Sequence, residues 1–288
     1  MSIGHDLLSF TYKPLVALNI VSRSFKPKGE GGRLRVLLFH DLAPNQYDLF
    51  REKIEWLSRR WKFVSPEQFG DMLTGGKPIE VDSLLLTFDD GFCSDRVVAE
   101  KILNPMGIKA LFFVISEFSK LEDKDEQMKF ISNNLYPGER VPENVTHMKN
   151  MSIADLKYLV ETGHTIGSHT TSHLSLSSVA DGEALVNEIV SGADWLEDQL
   201  DAKIVHFAYS FGNLASFSRE ALNIARTRFP YIFTGMRGDN SKSKLPWAIR
   251  RDTIAVSDTL SLVGAFVEGA ADFRYKKNLR VYESWGTV

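Results

Sequence analysis

Two adjacent carboxylates and two histidines four residues apart are the parts of this 288-residue chain best suited to chemistry. Asp89 and Asp90 close the run Leu84-Leu85-Leu86-Thr87-Phe88 and precede Gly91. Neighbouring carboxylates repel each other unless a positive group lies between them or each faces its own partner, so a metal ion would account for the pair. An Asp-Gly turn that caps a following helix is the alternative. The other half of a metal site is available in Ser168-His169-Thr170-Thr171-Ser172-His173. On a helical turn, this spacing puts both imidazoles on one face. Two imidazoles and one carboxylate make a facial ligand set with positions left for water and substrate. A pair of surface polar residues is the competing reading.

Such side chains need a scaffold, and the chain alternates short apolar or β-branched runs with longer stretches of helical spacing. The strand candidates are Leu34 to Phe39, Leu84 to Phe88, Ala110 to Ile115, Thr165 to Gly167, Val205 to Tyr209, Tyr231 to Thr234 and Ala248 to Ile254. Between them, Phe50, Ile54, Leu57 and Trp61, or Leu185, Ile189, Ala193, Leu196 and Leu200, fall at amphipathic helical spacing. Val98 and Ile102 before Pro105, Leu260, Val263 and Val267, and Ile153, Leu156 and Val160 behind a Ser152/Asp155 capping box mark further helices. Alternating strands and helices imply parallel pairing through right-handed crossovers, in an open sheet or a closed barrel. In either, ligands gather at the C-terminal ends of strands, where Asp89, Asp90 and the histidine segment fall. Residues 116–150 break the rhythm with Lys, Glu, Asp and Asn, and read as a solvated insertion or as a wall over the site.

Composition narrows the function classes. With 43% hydrophobic and 25% charged residues the chain has the makeup of a folded protein. A net charge of −3 with scattered basic residues carries no footprint for nucleic acid. One cysteine, Cys93, excludes an internal disulfide and a cysteine-based zinc cage, and reads as a small buried group. Lys13, Asn19 and Arg23 interrupt the best apolar stretch near the start, so we expect no signal peptide and no transmembrane segment, and cytoplasmic residence, with peripheral association with a surface-polysaccharide pathway open.

Thr87 to Phe92, reading TFDDGF, and Gly163 to His173, reading GHTIGSHTTSH, resemble the first two motifs of the polysaccharide deacetylases, the carbohydrate esterase family 4-like group sharing the NodB homology domain. Phe207 to Gly212, reading FAYSFG, resembles a third motif that reads FAYPFG in one branch. The resemblance runs from about Arg35 to Ile254. It implies an α/β fold, a distorted, TIM-barrel-like (β/α)7 barrel, in one domain over residues 1–288 with a core at about 33–270. It further implies Asp89 as general base, with Asp90, His169 and His173 holding a divalent metal, zinc first, with Co, Ni, Fe or Mn as alternatives. The substrates implied are N-acetylated sugars of a polysaccharide or glycoconjugate. In that chemistry a metal-activated water attacks the acetamide carbonyl while Asp89 takes its proton. A backbone N–H from Tyr209 to Phe211 is a candidate second oxyanion donor.

The departures matter as much. The family's third motif carries an Arg that pairs with the base, and Ala208 stands there, with Ser210 at the usual Pro. Arg250 or Arg251 is then expected to orient Asp89, surface ion pairing being the alternative for both. The family's late histidine acid is missing, since no histidine follows His206. His40, in a place resembling an early Tyr-His motif, is the candidate acid, or a strand-end histidine satisfied by its neighbours. His164 and His206 read as structural, as do Trp56, Trp61 and Trp195 on helix faces, whereas Trp247 is a candidate for stacking on a sugar ring. Arg274, Lys276 and Lys277 around Tyr275 read as a solvated tail. Beside an active N-deacetylase stand two other readings, a catalytically weak carbohydrate-binding member and a deacylase of non-sugar amides.

Overall fold

In the computed structural model, which describes residues 10–24, 31–138 and 147–286, each of the seven apolar runs contains a strand. They are β1 (Leu34–Phe39), β3 (Ser83–Phe88), β4 (Leu111–Val114), β5 (Thr165–Ser168), β6 (His206–Ala208), β7 (Tyr231–Phe233) and β8 (Asp252–Thr253). An eighth, β2 (Lys62–Phe63), escaped the sequence reading because two residues carry no period, and it pairs only with the start of β3. All pairings between named strands are parallel, in the order β7-β6-β5-β4-β3-β1-β8, and a parallel bridge from Phe233 to Ile249 links β7 back to the segment entering β8. The strands thus curl into a distorted barrel surrounded by helices.

Alternation along each strand sorts side chains between two apolar layers. Leu34, Val36, Leu85, Leu111, Phe113, Ala208, Phe233 and Ile249 share one cluster, plugged by Phe69, Met72 and Leu73 of the helix Pro66–Thr74. Leu37, Phe39, Leu84, Leu86, Phe88, Phe112, Phe207 and Ile232 belong to the other, packed on the surrounding helices. Fully burying such a side chain contributes about 1.5–3 kcal/mol. The same alternation continues past the ends of strands: Asp89 follows Leu85 and Thr87 onto the inner side, and Arg251 follows Ile249.

The helices obey the signals read from the sequence. Ser152 accepts from the Asp155 amide while Asp155 accepts from the Ser152 amide, starting the helix Ile153–Glu161. Leu185, Ile189, Ala193, Leu196 and Leu200 are all buried along residues 182–200. Of the insertion, residues 139–146 lie outside those described, but its flanks are ordered against the barrel. Cys93 N–H donates to the Lys149 carbonyl, Met151 N–H to Gly91, and the Asn150 amide to the carbonyls of Phe118 and Leu121. The expected solvated tail is instead the helix Lys276–Trp285, which sinks Leu279 and Tyr282 into the core. Its basic residues are the exposed side of an amphipathic pattern.

β8 is only two residues long, and a buried ion network stands in for length. Arg35 of β1 grips Asp252 in a bidentate contact at 2.7 and 2.8 Å and also donates to both oxygens of Asp272. Arg35 and Asp252 are almost fully buried, so the partner left behind by either loss would keep an uncompensated charge. Asp252→Ala is expected to cost about 3–5 kcal/mol of stability, measured by denaturant unfolding.

Candidate metal centre and active site

Four side chains from two strand ends meet at one mouth. Asp89 and Asp90 leave the end of β3, and His169 and His173 leave the end of β5. All four line a cavity of about 460 Å³ together with His40, Leu38, Leu135, Tyr136, Phe211, Arg251 and Thr253. The histidine segment is not the helical turn its spacing suggested. It is an irregular loop in which Thr170 and His173 hold left-handed backbone, at φ 65 and 64°. Asp90 at φ 75° and Phe211 at φ 62° do the same, so four of the six described non-glycine residues with positive φ surround this mouth. Each costs roughly 1–2 kcal/mol, and the surroundings must enforce it. For Thr170 the enforcement is visible: its hydroxyl accepts from the His173 amide at 2.9 Å and lies 3.2 Å from the Ser210 hydroxyl.

Hydrogen bonds fix which nitrogen each imidazole offers. His169 Nδ1 donates to the Ala208 carbonyl at 2.7 Å, and His173 Nδ1 donates to the Asn134 carbonyl at 2.8 Å. In its neutral form each ring therefore presents an unprotonated Nε2 to the mouth, the arrangement a metal ligand requires. Both nitrogens converge on Asp90 Oδ1, at 3.5 Å from His169 and 3.6 Å from His173, and the three ligand atoms lie within 4.8 Å of one another. Ligands of a tetrahedral ion bound at 2.0–2.1 Å stand roughly 3.4 Å apart, so the donor set fits one ion. Asp90, His169 and His173 are the residues that could hold a divalent metal.

Charge and burial compete within this group. Burial opposes ionisation of Asp90, yet the hydrogen bond from His169 and the nearby His173 and His40 hold its carboxyl well below the usual carboxylate range. Burial also works against a charged His169, but Asp89 and Asp90 outweigh it and raise its pKa, whereas at His173 burial prevails and lowers it. Behind them Asp95 is fully buried with neither oxygen hydrogen-bonded. Burial, then the fields of Asp41, Asp90 and Asp89, push its carboxyl well above the ordinary value.

Asp89 has a different partner. Arg251, fully buried, reaches from the start of β8 to place Nη1 2.6 Å from Oδ1 and Nη2 2.9 Å from Oδ2, while its Nε donates to the Thr234 carbonyl at 2.8 Å. Its guanidinium also stands 5.1 Å from the Phe113 ring. Arg250, the other candidate, turns away to the Asp239 carbonyl and Glu283. Ala208 faces the interior that Arg251 crosses and fills it with no more than a methyl group.

The remaining sequence candidates divide. His40 is exposed and lines the cavity, and Phe211 lines it too, its ring 4.7 Å from that of His173. Tyr209 is not a lining residue: its ring stacks on Phe217 at 4.1 Å within the core, and its hydroxyl donates to the Gly212 carbonyl. Trp247 stands outside the mouth altogether, stacked on Tyr282 with the Arg226 guanidinium 5.0 Å from its ring, so packing against the last helix replaces the expected sugar contact. His164 and His206 are buried away from the mouth, and burial pushes both imidazoles down to about 4. Sequence reasoning missed Asn134, whose carbonyl accepts from His173 while its side-chain amide donates to the Ser172 carbonyl, Thr234, whose carbonyl accepts from Arg251, and Asp95, whose burial no pattern announced.

A proton and a metal ion compete for the same Nε2 atoms. Because the carboxylates raise the pKa of metal-free His169, affinity is full above that pKa and is lost as pH falls through it. Calorimetric titration with zinc is expected to show affinity falling about tenfold or more between roughly pH 8 and pH 6. A flat profile would mean that the imidazoles are not ligands.

Residues 76–228 match the family model described as polysaccharide deacetylase. Similar solved structures include the Streptococcus pyogenes deacetylase PplD in complex with acetate (20% identity, TM-score 0.65, covering 82% of this chain and 98% of that one) and IcaB from Ammonifex degensii (22%, TM-score 0.65, 83% and 99%). The curated protein YxkH of Bacillus subtilis (strain 168) is 21% identical over 243 residues, covering 82% of this chain and 76% of its own. These likenesses are of fold, whereas the family match takes in more than half the chain and all of Asp89, Asp90, His169 and His173. The chain belongs to the polysaccharide deacetylase family.

Proposed function

We propose that this protein is a divalent-metal-dependent carbohydrate N-deacetylase, hydrolysing the acetamide C–N bond of N-acetylated sugars in a polysaccharide or glycoconjugate. The observation that carries the reading is the convergence of two Nε2 atoms and Asp90 Oδ1, with a second carboxylate beside them held by a buried guanidinium. Two imidazoles and a carboxylate suit zinc first, with cobalt, nickel, iron or manganese also accommodated. An ion held there supplies Lewis acidity, polarising a carbonyl oxygen and making water a stronger acid.

The chain's own groups then divide the proton work. Asp89 takes a proton from water as its oxygen attacks the acetamide carbon. The carboxylate has lone pairs left after the two contacts with Arg251, and Oδ2 lies 3.7 Å from His169 Nε2, at the edge of the donor set. Arg251 is a positioning residue that holds Asp89 in one orientation through its two contacts. The backbone N–H of Phe211 is assigned to the developing oxyanion. His40, exposed in the same cavity, is assigned to protonate the departing amine, so that C–N cleavage yields acetate and a free amino sugar.

Acetate release from N-acetylglucosamine oligomers tests this directly, with and without a chelator. Chelation should abolish turnover and zinc should restore it; an intact protein that binds no divalent ion would remove the proposal. Asp89→Asn should lower kcat by about 10²–10⁴-fold while oligomer binding survives. Arg251→Met should cost on the order of 10²-fold in kcat through misplacement of the base, with zinc affinity retained. Unchanged turnover in Asp89→Asn would assign the activity to a contaminant and leave a binding module.

A further inference from the structure

Among the described side chains of residues 10–18, at the start of the helix Tyr12–Ser24, apolar groups fall on two faces, and the barrel uses one of them. On the inner face Tyr12 packs 5.4 Å from the Trp56 ring and accepts from Arg60, and Leu15 and Val16 are half-buried. Tyr12 comes so close to Gly264 that a Cβ there would stand 2.5 Å from its ring, which seats the helix on the barrel wall. On the outer face Phe10, Lys13, Pro14, Ala17 and Leu18 are exposed, spaced three and four residues apart. Phe10 is 80% exposed, the largest value among the described exposed large hydrophobic residues, and Leu18 is 63% exposed. Four of these five side chains are apolar, the reverse of what water selects for an outward helix face.

Charge says what covers this face. Residues 7–29 contain Lys13, Arg23, Lys26 and Lys28 and no acidic residue, in a chain whose net charge is −3. A two-fold contact between copies through this face would bring Lys13 toward its own copy, whereas an anionic surface would be matched by Lys13, by the basic composition of the segment and by the apolar stripe. Each basic residue near an anionic bilayer contributes roughly fivefold in partitioning. None of the residues lining the catalytic mouth belongs to this helix. We propose that the segment around Phe10–Leu18 lies on the surface of an anionic lipid membrane, in the plane of the interface, docking the enzyme there with its mouth unobstructed.

Co-sedimentation of the full chain with vesicles tests it, using phosphatidylglycerol mixed with phosphatidylcholine against phosphatidylcholine alone. Binding is expected to the anionic vesicles, at least tenfold weaker to the neutral ones, and lost in about 0.5 M salt, where screening is nearly complete at contact distances. The double substitution Phe10→Asp with Leu18→Asp should abolish binding while leaving the circular dichroism spectrum and thermal midpoint unchanged. Absence of binding by the unsubstituted protein would overturn the proposal, and the lipid and salt dependence decides the matter even if the variant misfolds. A concentration-dependent dimer that the same substitutions dissolve, without vesicle binding, would also overturn it and assign the face to a second copy.

Discussion

Two like charges on consecutive residues at the end of one strand cannot both be held in a dry site unless each is given its own counter-charge, and the mouth of this barrel is built around that requirement. The strand's alternation carries Asp89 inward, while Asp90, past the strand end at φ 75°, turns out of that alternation at the rim of the same cavity, so the two meet different partners. Asp89 receives a guanidinium from the start of β8, and Asp90 faces two imidazole nitrogens from the end of β5 with which it could share a cation. A divalent ion among the second set would complete the neutralisation. The division also separates the tasks, since a carboxylate locked to Arg251 is reserved for protons and one facing imidazoles is reserved for a ligand role.

The counter-charge for Asp89 comes from the least regular part of the sheet. Arg251 is the residue before a two-residue strand, and its neighbour Asp252 points to the opposite side into Arg35. One register therefore serves both: the outer ion pair anchors the strand whose inner face presents the guanidinium. Buried ion pairs are weak sources of net stability but strong determinants of geometry once formed, and here geometry is what the base needs. Ala208 belongs to the same solution: the third-motif resemblance implies an arginine at this position, and here the guanidinium arrives from the start of β8.

Much of this was legible from residues alone, and the limits have physical causes. The seven main strands were readable because apolar runs bounded by turn residues leave little ambiguity about where a parallel sheet must be. Asp89, Asp90, His169 and His173 were readable because few other residue sets suit a metal at strand ends. The conformation of the histidine loop was not, since a spacing of four is shared by a helical turn and by a loop with left-handed Thr170 and His173. Trp247 looked like a site residue by position, but an aromatic near a strand end says nothing about which side its ring takes. β2 and Asp95 left no pattern, one being too short to have a period and the other a single buried acid on an otherwise ordinary helix.

The contact between His173 Nδ1 and the Asn134 carbonyl gives the excursion after β4 a part in the chemistry. That carbonyl decides the tautomer of an imidazole drawn from another element, so the ring is held against rotation by a segment outside the barrel's repeating plan. Shortening or remodelling the excursion would free the imidazole to place its proton on either nitrogen, with every strand still in place. The demand on the excursion is therefore narrow: whatever its outer surface carries, the one peptide oxygen aimed at the histidine must stay where it is.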